Sequence, residues 1–179
     1  MISAGTRTAG EKAPPVTPLT EAEIRRSFVN CSRGEAKTLT LPKDLDGLDW
    51  AEQEVLGWRD PKAPLRGYLV AQVDGETVGI AVRAAESSMS GRTTAMCLLC
   101  QTAQPGDAVS LFTARRTGEA GRNGNTVGTY ICADLRCSTR VRAEIPPWLS
   151  DRDPDEVVAE RALELRERVR GFLGSVRRP

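Results

Sequence analysis

The residues with most chemistry to offer in this chain of 179 are its five cysteines, and the most restrictive feature beside them is the absence of any histidine. Cys97-Leu98-Leu99-Cys100 is a C-x-x-C turn, and Cys132-Ala133-Asp134-Leu135-Arg136-Cys137 supplies a second pair after residues 101–131. A C-x-x-C turn aims two thiolates at one centre. A second pair brought alongside completes a tetrahedral site for one zinc ion, with metal–sulfur distances of about 2.3 Å. The competing readings of the same spacing are two redox pairs or incidental buried thiols. A metal is favoured over disulfides because a reducing compartment keeps thiols free. Four thiolates close the tetrahedron and leave no position for water, so the expected zinc is structural.

Missing imidazole removes much of the remaining catalytic repertoire. A Ser-His-Asp triad, a Cys-His pair and the His-x-Glu of a zinc deaminase all need a residue the chain lacks. Cys31 stands apart from the two pairs and, with no histidine to activate it, reads as a small buried hydrophobe. The carboxylate pairs Asp44/Asp46 and Asp151/Asp153 fall in turn-like or capping contexts rather than acid/base ones. The sequence therefore predicts a protein without catalytic activity and without a small-molecule substrate.

The elements that must position the cysteines can be read outward from them. Val109–Thr113 and Thr126–Ile131 predict two strands between the pairs, giving the order knuckle, hairpin, second ligand pair, which is the layout of a treble clef. The finger then occupies about residues 95–142. Upstream, Tyr68–Val73 and Glu76–Arg83 flank Asp74-Gly75, whose residue types suit the positive φ angles of a tight type I′ hairpin turn. Residues 86–94 form a polar linker into the finger, and 59–64 a turn-rich connection. Leu39–Leu41, stopped by Pro42, predicts a brief edge strand. Trp50, Val55, Leu56 and Trp58 seal one end of a core.

At the N-terminus, residues 1–18 read as a disordered tail, rich in glycine, proline and small polar residues. Thr20 and Glu23 have capping-box spacing and Leu19 with Ile24 fits a hydrophobic staple, so the segment 19–37 is expected to hold one short helix from Glu21 to about Cys31, with Gly34 available to end it. Residues 38–179 form the main domain. They close with a helix capped at Asp153, begun by Pro154, with Glu156 completing the box and Val158, Ala162, Leu165, Val169 and Phe172 on one face. The predicted class is α+β: short antiparallel sheet and hairpins, a four-cysteine treble clef and a C-terminal helix.

Composition agrees with a globular domain, at 40% hydrophobic and 27% charged residues. No stretch approaches a membrane span and the first residues lack a signal-peptide pattern, so a cytoplasmic protein with no membrane partner is expected. Net charge is +1, but residues 92–142 hold 7 Lys and Arg against 3 Asp and Glu, which makes the finger the basic part. The arm between its strands carries Arg115, Arg116 and Arg122 among Gly118, Gly121 and Gly124. It is the candidate partner-binding surface, joined by Arg136, Arg140 and Arg142, and a solvated flexible loop is the competing reading. Its glycines do not make a phosphate fingerprint, because no strand-to-helix transition surrounds them.

Together, Leu41-Pro42-Lys43-Asp44-Leu45, Leu56-Gly57-Trp58-Arg59-Asp60-Pro61, Met96-Cys97-Leu98-Leu99-Cys100, Leu111-Phe112 and above all Gly124-Asn125-Thr126-Val127-Gly128-Thr129-Tyr130-Ile131-Cys132-Ala133-Asp134-Leu135 with Cys137-Ser138 resemble the C-terminal treble-clef domain of elongation factor G-binding proteins, the FusB-type fusidic acid resistance proteins. The resemblance covers roughly residues 38–172. It implies an α/β fold with one zinc held by Cys97, Cys100, Cys132 and Cys137. It also implies non-catalytic binding to elongation factor G, promoting release of that factor from a fusidic acid-stalled ribosome. The alternative partner is ribosomal RNA, contacted by the arginines around the finger.

Overall fold

A computed structural model describes residues 17–143 and 145–178. The tail expected over 1–18 lies, up to residue 16, outside the described residues. The framework is one antiparallel five-stranded sheet, built from β1 (Leu56–Asp60), β2 (Ala63–Val73), β3 (Glu76–Ala84), β6 (Val109–Arg115) and β7 (Thr126–Cys132) in the order β1-β2-β3-β6-β7. A separate ribbon pairs β4 (Thr94–Met96) with β5 (Ala103–Pro105). The β2–β3 hairpin turns on Asp74 and Gly75, whose φ angles of 50° and 83° are those the sequence predicts for a type I′ turn. Gly67 to Ala71 is buried without interruption, because the sheet is covered on both faces at this strand.

One face carries the larger core. Leu69, Ile80, Val82 and Phe112 meet the finger residues Leu99, Leu135 and Val141 and the buried face of helix α5 (Pro154–Arg177). Asp153 caps α5 through the amides of Asp155 and Glu156, as its sequence predicts. Its buried positions are Val157, Arg161, Ala162, Leu165, Val169, Phe172, Leu173 and Val176, so the stripe begins at Val157 rather than at the expected Val158.

The other face is covered by the N-terminal segment. Helix α1 (Glu21–Ser27) has the expected capping box, Thr20 with Glu23, but ends at Ser27 rather than Cys31. There the chain turns extended: the Val29 amide donates to the Gly79 carbonyl at 3.0 Å. The Asn30 side chain exchanges hydrogen bonds of 2.9 and 2.8 Å with the Ala81 carbonyl and amide. These bonds fill the part of the β3 edge that β6 leaves unpaired, since β6 reaches only Arg83 and Ala84. A second helix follows, α2 (Arg33–Thr38), capped by Ser32 with Glu35, so Gly34 lies inside a helix instead of ending one. Leu39 to Leu41 forms no strand. The turn expected over 59–64 is tighter than its composition suggests: Arg59 and Asp60 belong to β1 and Ala63 begins β2.

Candidate metal centre

Each finger cysteine is placed by a short, recognisable piece of chain. Cys97 follows β4, and the knuckle closes through the Gln101 amide donating to the Cys97 carbonyl at 2.9 Å. The Cys100 amide points at the Cys97 Sγ, 3.4 Å away, and Gln101 at a φ of 51° turns the chain back so that the Cys97 amide donates to the Thr102 carbonyl at 3.3 Å. Cys132 ends β7, and Cys137 begins helix α4 (Cys137–Ala143). Between them Leu135 takes a φ of 62°, and its amide donates to the Cys132 carbonyl at 2.9 Å. The four Sγ atoms lie within 4.8 Å of one another and all four residues are buried.

Two of the sulfur–sulfur distances are 3.7 Å (Cys97 to Cys137) and 3.5 Å (Cys100 to Cys132). Metal–sulfur bonds of about 2.3 Å at tetrahedral angles imply edges of about 3.8 Å, so the cage fits one zinc ion. Hydrogen bonding with Cys132, then Cys137, pushes the Cys100 thiol down, while hydrogen bonding to Cys100 pushes Cys132 and Cys137 up. Four crowded thiols share protons that a dication would displace, leaving four thiolates. Cys97, Cys100, Cys132 and Cys137 thus form a site for one structural zinc.

Around the cage stands a set of residues that the spacing of cysteines does not reveal. The Gln104 side-chain amide donates to the Cys132 Sγ at 3.3 Å. Arg168, from the distant helix α5, donates to the Leu99 carbonyl at 3.0 Å and fixes the knuckle from outside. Buried Arg161 donates to the Val141 carbonyl and the Thr102 hydroxyl. Ser138 Oγ bonds both the amide and the carbonyl of Val55, each at 3.0 Å, tying α4 to the start of β1. Beside it Glu54, fully buried, accepts two hydrogen bonds from Arg142 at 2.6 and 2.8 Å. Ser138, adjacent to a ligand, and Arg142, in the basic stretch, lay near a sequence signal; the roles of all these residues depend on contacts across twenty or more positions.

The basic surface expected around the finger is partly committed inside the molecule. Arg116 donates to the Ser175 and Arg178 carbonyls, and the Thr117 amide to the Val176 carbonyl, so the arm docks on the end of α5. Gly118–Arg122 forms a short helix, α3, whose Gly121 is buried against the Arg116 backbone. Arg140 pairs with Asp134 at 2.8 Å. Desolvation pulls its pKa down, but Asp134 and the nearby Cys132 and Cys100 more than offset this and hold it above the usual value. Arg115, Arg122 and Arg136 are exposed. Cys31 is half-buried against the N-terminal core, its thiol raised first by burial.

No curated protein sequence matches the chain. The solved structure of the fusidic acid resistance protein FusC is similar at 19% identity and a TM-score of 0.47, covering 77% of this chain and 51% of that one. This chain therefore spans about half the length of that protein. The match over residues 23–176 takes in the sheet, the four finger cysteines and α5 up to Val176, and by it the chain belongs to the family described as the FBP C-terminal treble-clef zinc-finger.

Proposed function

We propose that this protein works by binding rather than catalysis, with elongation factor G as its partner, and that the zinc holds the binding surface in shape. The observation that carries this reading is the contrast between a sealed metal cage and an apolar surface beside it. All four sulfurs are buried, while Met96, Leu98 and Tyr130 are 50%, 51% and 43% exposed. The Leu98 amide donates to the Tyr130 carbonyl at 2.8 Å, so knuckle and strand present these side chains together. Tyr130 pairs with Leu111 across the β6–β7 ladder, and Arg115 lies further along the same face. Tyrosine, methionine and arginine with few acids is the composition of a protein-binding surface. Family membership supports the choice of partner.

The test is capture of purified elongation factor G by the zinc-loaded chain, compared with a Leu98→Ser/Tyr130→Ala double variant. If these side chains are central contacts, the variant loses about 2 kcal/mol or more, roughly thirtyfold in affinity. Undiminished capture, or capture of ribosomal RNA in place of the factor, sinks the reading.

A further inference from the structure

The β4–β5 ribbon contributes little to the hydrophobic core. Thr94 and Met96 on β4 are exposed, as are Ala103 and Pro105 on β5, and Ala95 is half-buried. Its one buried side chain is polar: Gln104, in the middle of β5 and opposite Ala95. Side chains alternate between the faces of a strand, so β5 turns Gln104 inward, to the cysteine cage, while its two neighbours face out. There the Gln104 Nε2 faces two acceptors, the Cys132 Sγ at 3.3 Å and the Thr102 carbonyl at 3.4 Å. An oxygen in that place would meet an acceptor on either side, so the NH2 end of the amide belongs there. The other end, Oε1, is buried without a hydrogen-bond partner among the described residues. An unpaired buried carbonyl is a cost to folding that an apolar side chain of the same length would not carry. What the amide supplies and an apolar side chain cannot is a donor for sulfur.

The loaded cage needs such donors. Four thiolates overbalance one dication, which leaves an anion in a buried place. Arg140, the cation nearby, is engaged by Asp134 at 2.8 Å. Among the described residues, Cys97 and Cys132 are the sulfurs that face an N–H. Cys97 takes the backbone amide of Cys100 at 3.4 Å, which any residue but proline would provide at that position. The donor to Cys132 depends on the identity of a side chain, that of Gln104.

We propose that Gln104 is a positioning residue of the metal centre, whose N–H···S bond orients the Cys132 thiolate and draws on its lone pair, so that this sulfur resists electrophiles and retains its metal. The proposal is independent of the protein's partner. Its test exposes the zinc-loaded full chain and a Gln104→Met variant to limiting N-ethylmaleimide, identifies the first cysteine modified by mass spectrometry, and follows zinc transfer to a chelating dye in parallel. The variant should be modified first at Cys132, about tenfold faster than wild type, and should give up zinc about tenfold faster, the scale on which loss of a hydrogen bond to a metal ligand acts. Cys31, outside the centre, should react at the wild-type rate. A finger that is merely loosened would spread the first modification over all four ligands. A measurement on the wild-type chain covers the case in which methionine disturbs folding: with an NMR-active cadmium isotope in place of zinc, a Gln104 side-chain amide proton should show scalar coupling to the metal through the Cys132 sulfur. Absence of that coupling, first modification spread over the four ligands, or wild-type rates in a folded variant overturns the proposal.

Discussion

Gly57→Ala tests how the zinc finger is locked to the sheet. A Cβ built on Gly57 would lie 2.2 Å from the Leu135 carbonyl oxygen and 2.9 Å from the Leu135 Cβ, both inside the closest approach real atoms make. One of the two backbones must therefore retreat by about 1 Å, since a methyl carbon and a carbonyl oxygen rest at a little over 3 Å. Leu135 cannot retreat alone. It stands between two metal ligands, Cys132 and Cys137, in a turn at positive φ. Overpacking of this kind costs about 1–3 kcal/mol, and displaced backbone belongs at the upper end. Against it stands the gain of about 0.5–1 kcal/mol from a less flexible unfolded chain, leaving a net loss near 2 kcal/mol. Gly171→Ala is the control: nothing lies within 4 Å of its Cβ position, and in the middle of α5 alanine should stabilise by about 0.5–1 kcal/mol. Urea unfolding with a parallel measurement of zinc transfer to a chelating dye reads both. A Gly57→Ala chain as stable and as retentive of zinc as wild type would refute the locking argument.

Further predictions follow from neighbouring groups. Cys132→Ser should abolish stoichiometric zinc in elemental analysis and unfold the finger, because metal binding supplies much of its folding free energy. Glu54→Ala should lower stability by about 2–3 kcal/mol in denaturant unfolding, since it removes the buried carboxylate bonded to Arg142 at 2.6 and 2.8 Å and leaves that guanidinium only the Ser138 carbonyl and the more exposed Glu52. Burial first, and then the hydrogen bond to Asp60, push the Tyr68 phenol up to about 12. A raised pKa stabilises the fold fully below the ordinary value of 10.0 and is lost as pH climbs toward 12, so stability should fall across that window. Tyr68→Phe should remove this part of the alkaline loss, as followed by unfolding at pH 9 to 12.

How far the sequence reached depended on whether the decisive contact was local. The Asp74-Gly75 turn and the Asp153-Pro154 cap rest on residues within one turn of each other, and both appear where their chemistry puts them. The two cysteine pairs were legible because thiolate spacing is itself the signal. Helix α1 was extended too far because its end is set by a non-local event, residues 28–30 completing the β3 edge. Ser32 and Glu35 did carry the capping-box spacing of α2, but Gly34 between them reads as a stop when only local propensity is weighed. In the arm, glycine suggested freedom, and Gly118 and Gly124 use it at φ angles of 67° and 83°, but Gly121 serves the opposite end: a Cβ there would overlap the Arg116 carbonyl, so the residue is small because the chain packs tightly. Arg116 likewise serves the end of α5, a role visible only once residues sixty positions apart are brought together.

The proposal that a zinc-held protein surface engages elongation factor G is tested most directly by the affinity of the zinc-loaded chain for purified elongation factor G across a salt series, with a ribosomal RNA titration beside it. The account predicts binding of the factor that is lost on zinc removal and weakens only shallowly with salt, because apolar side chains at Met96, Leu98 and Tyr130 dominate the contact. No binding to the factor, together with RNA binding whose log affinity falls against log salt by about 0.7–0.9 per phosphate contacted, would contradict it.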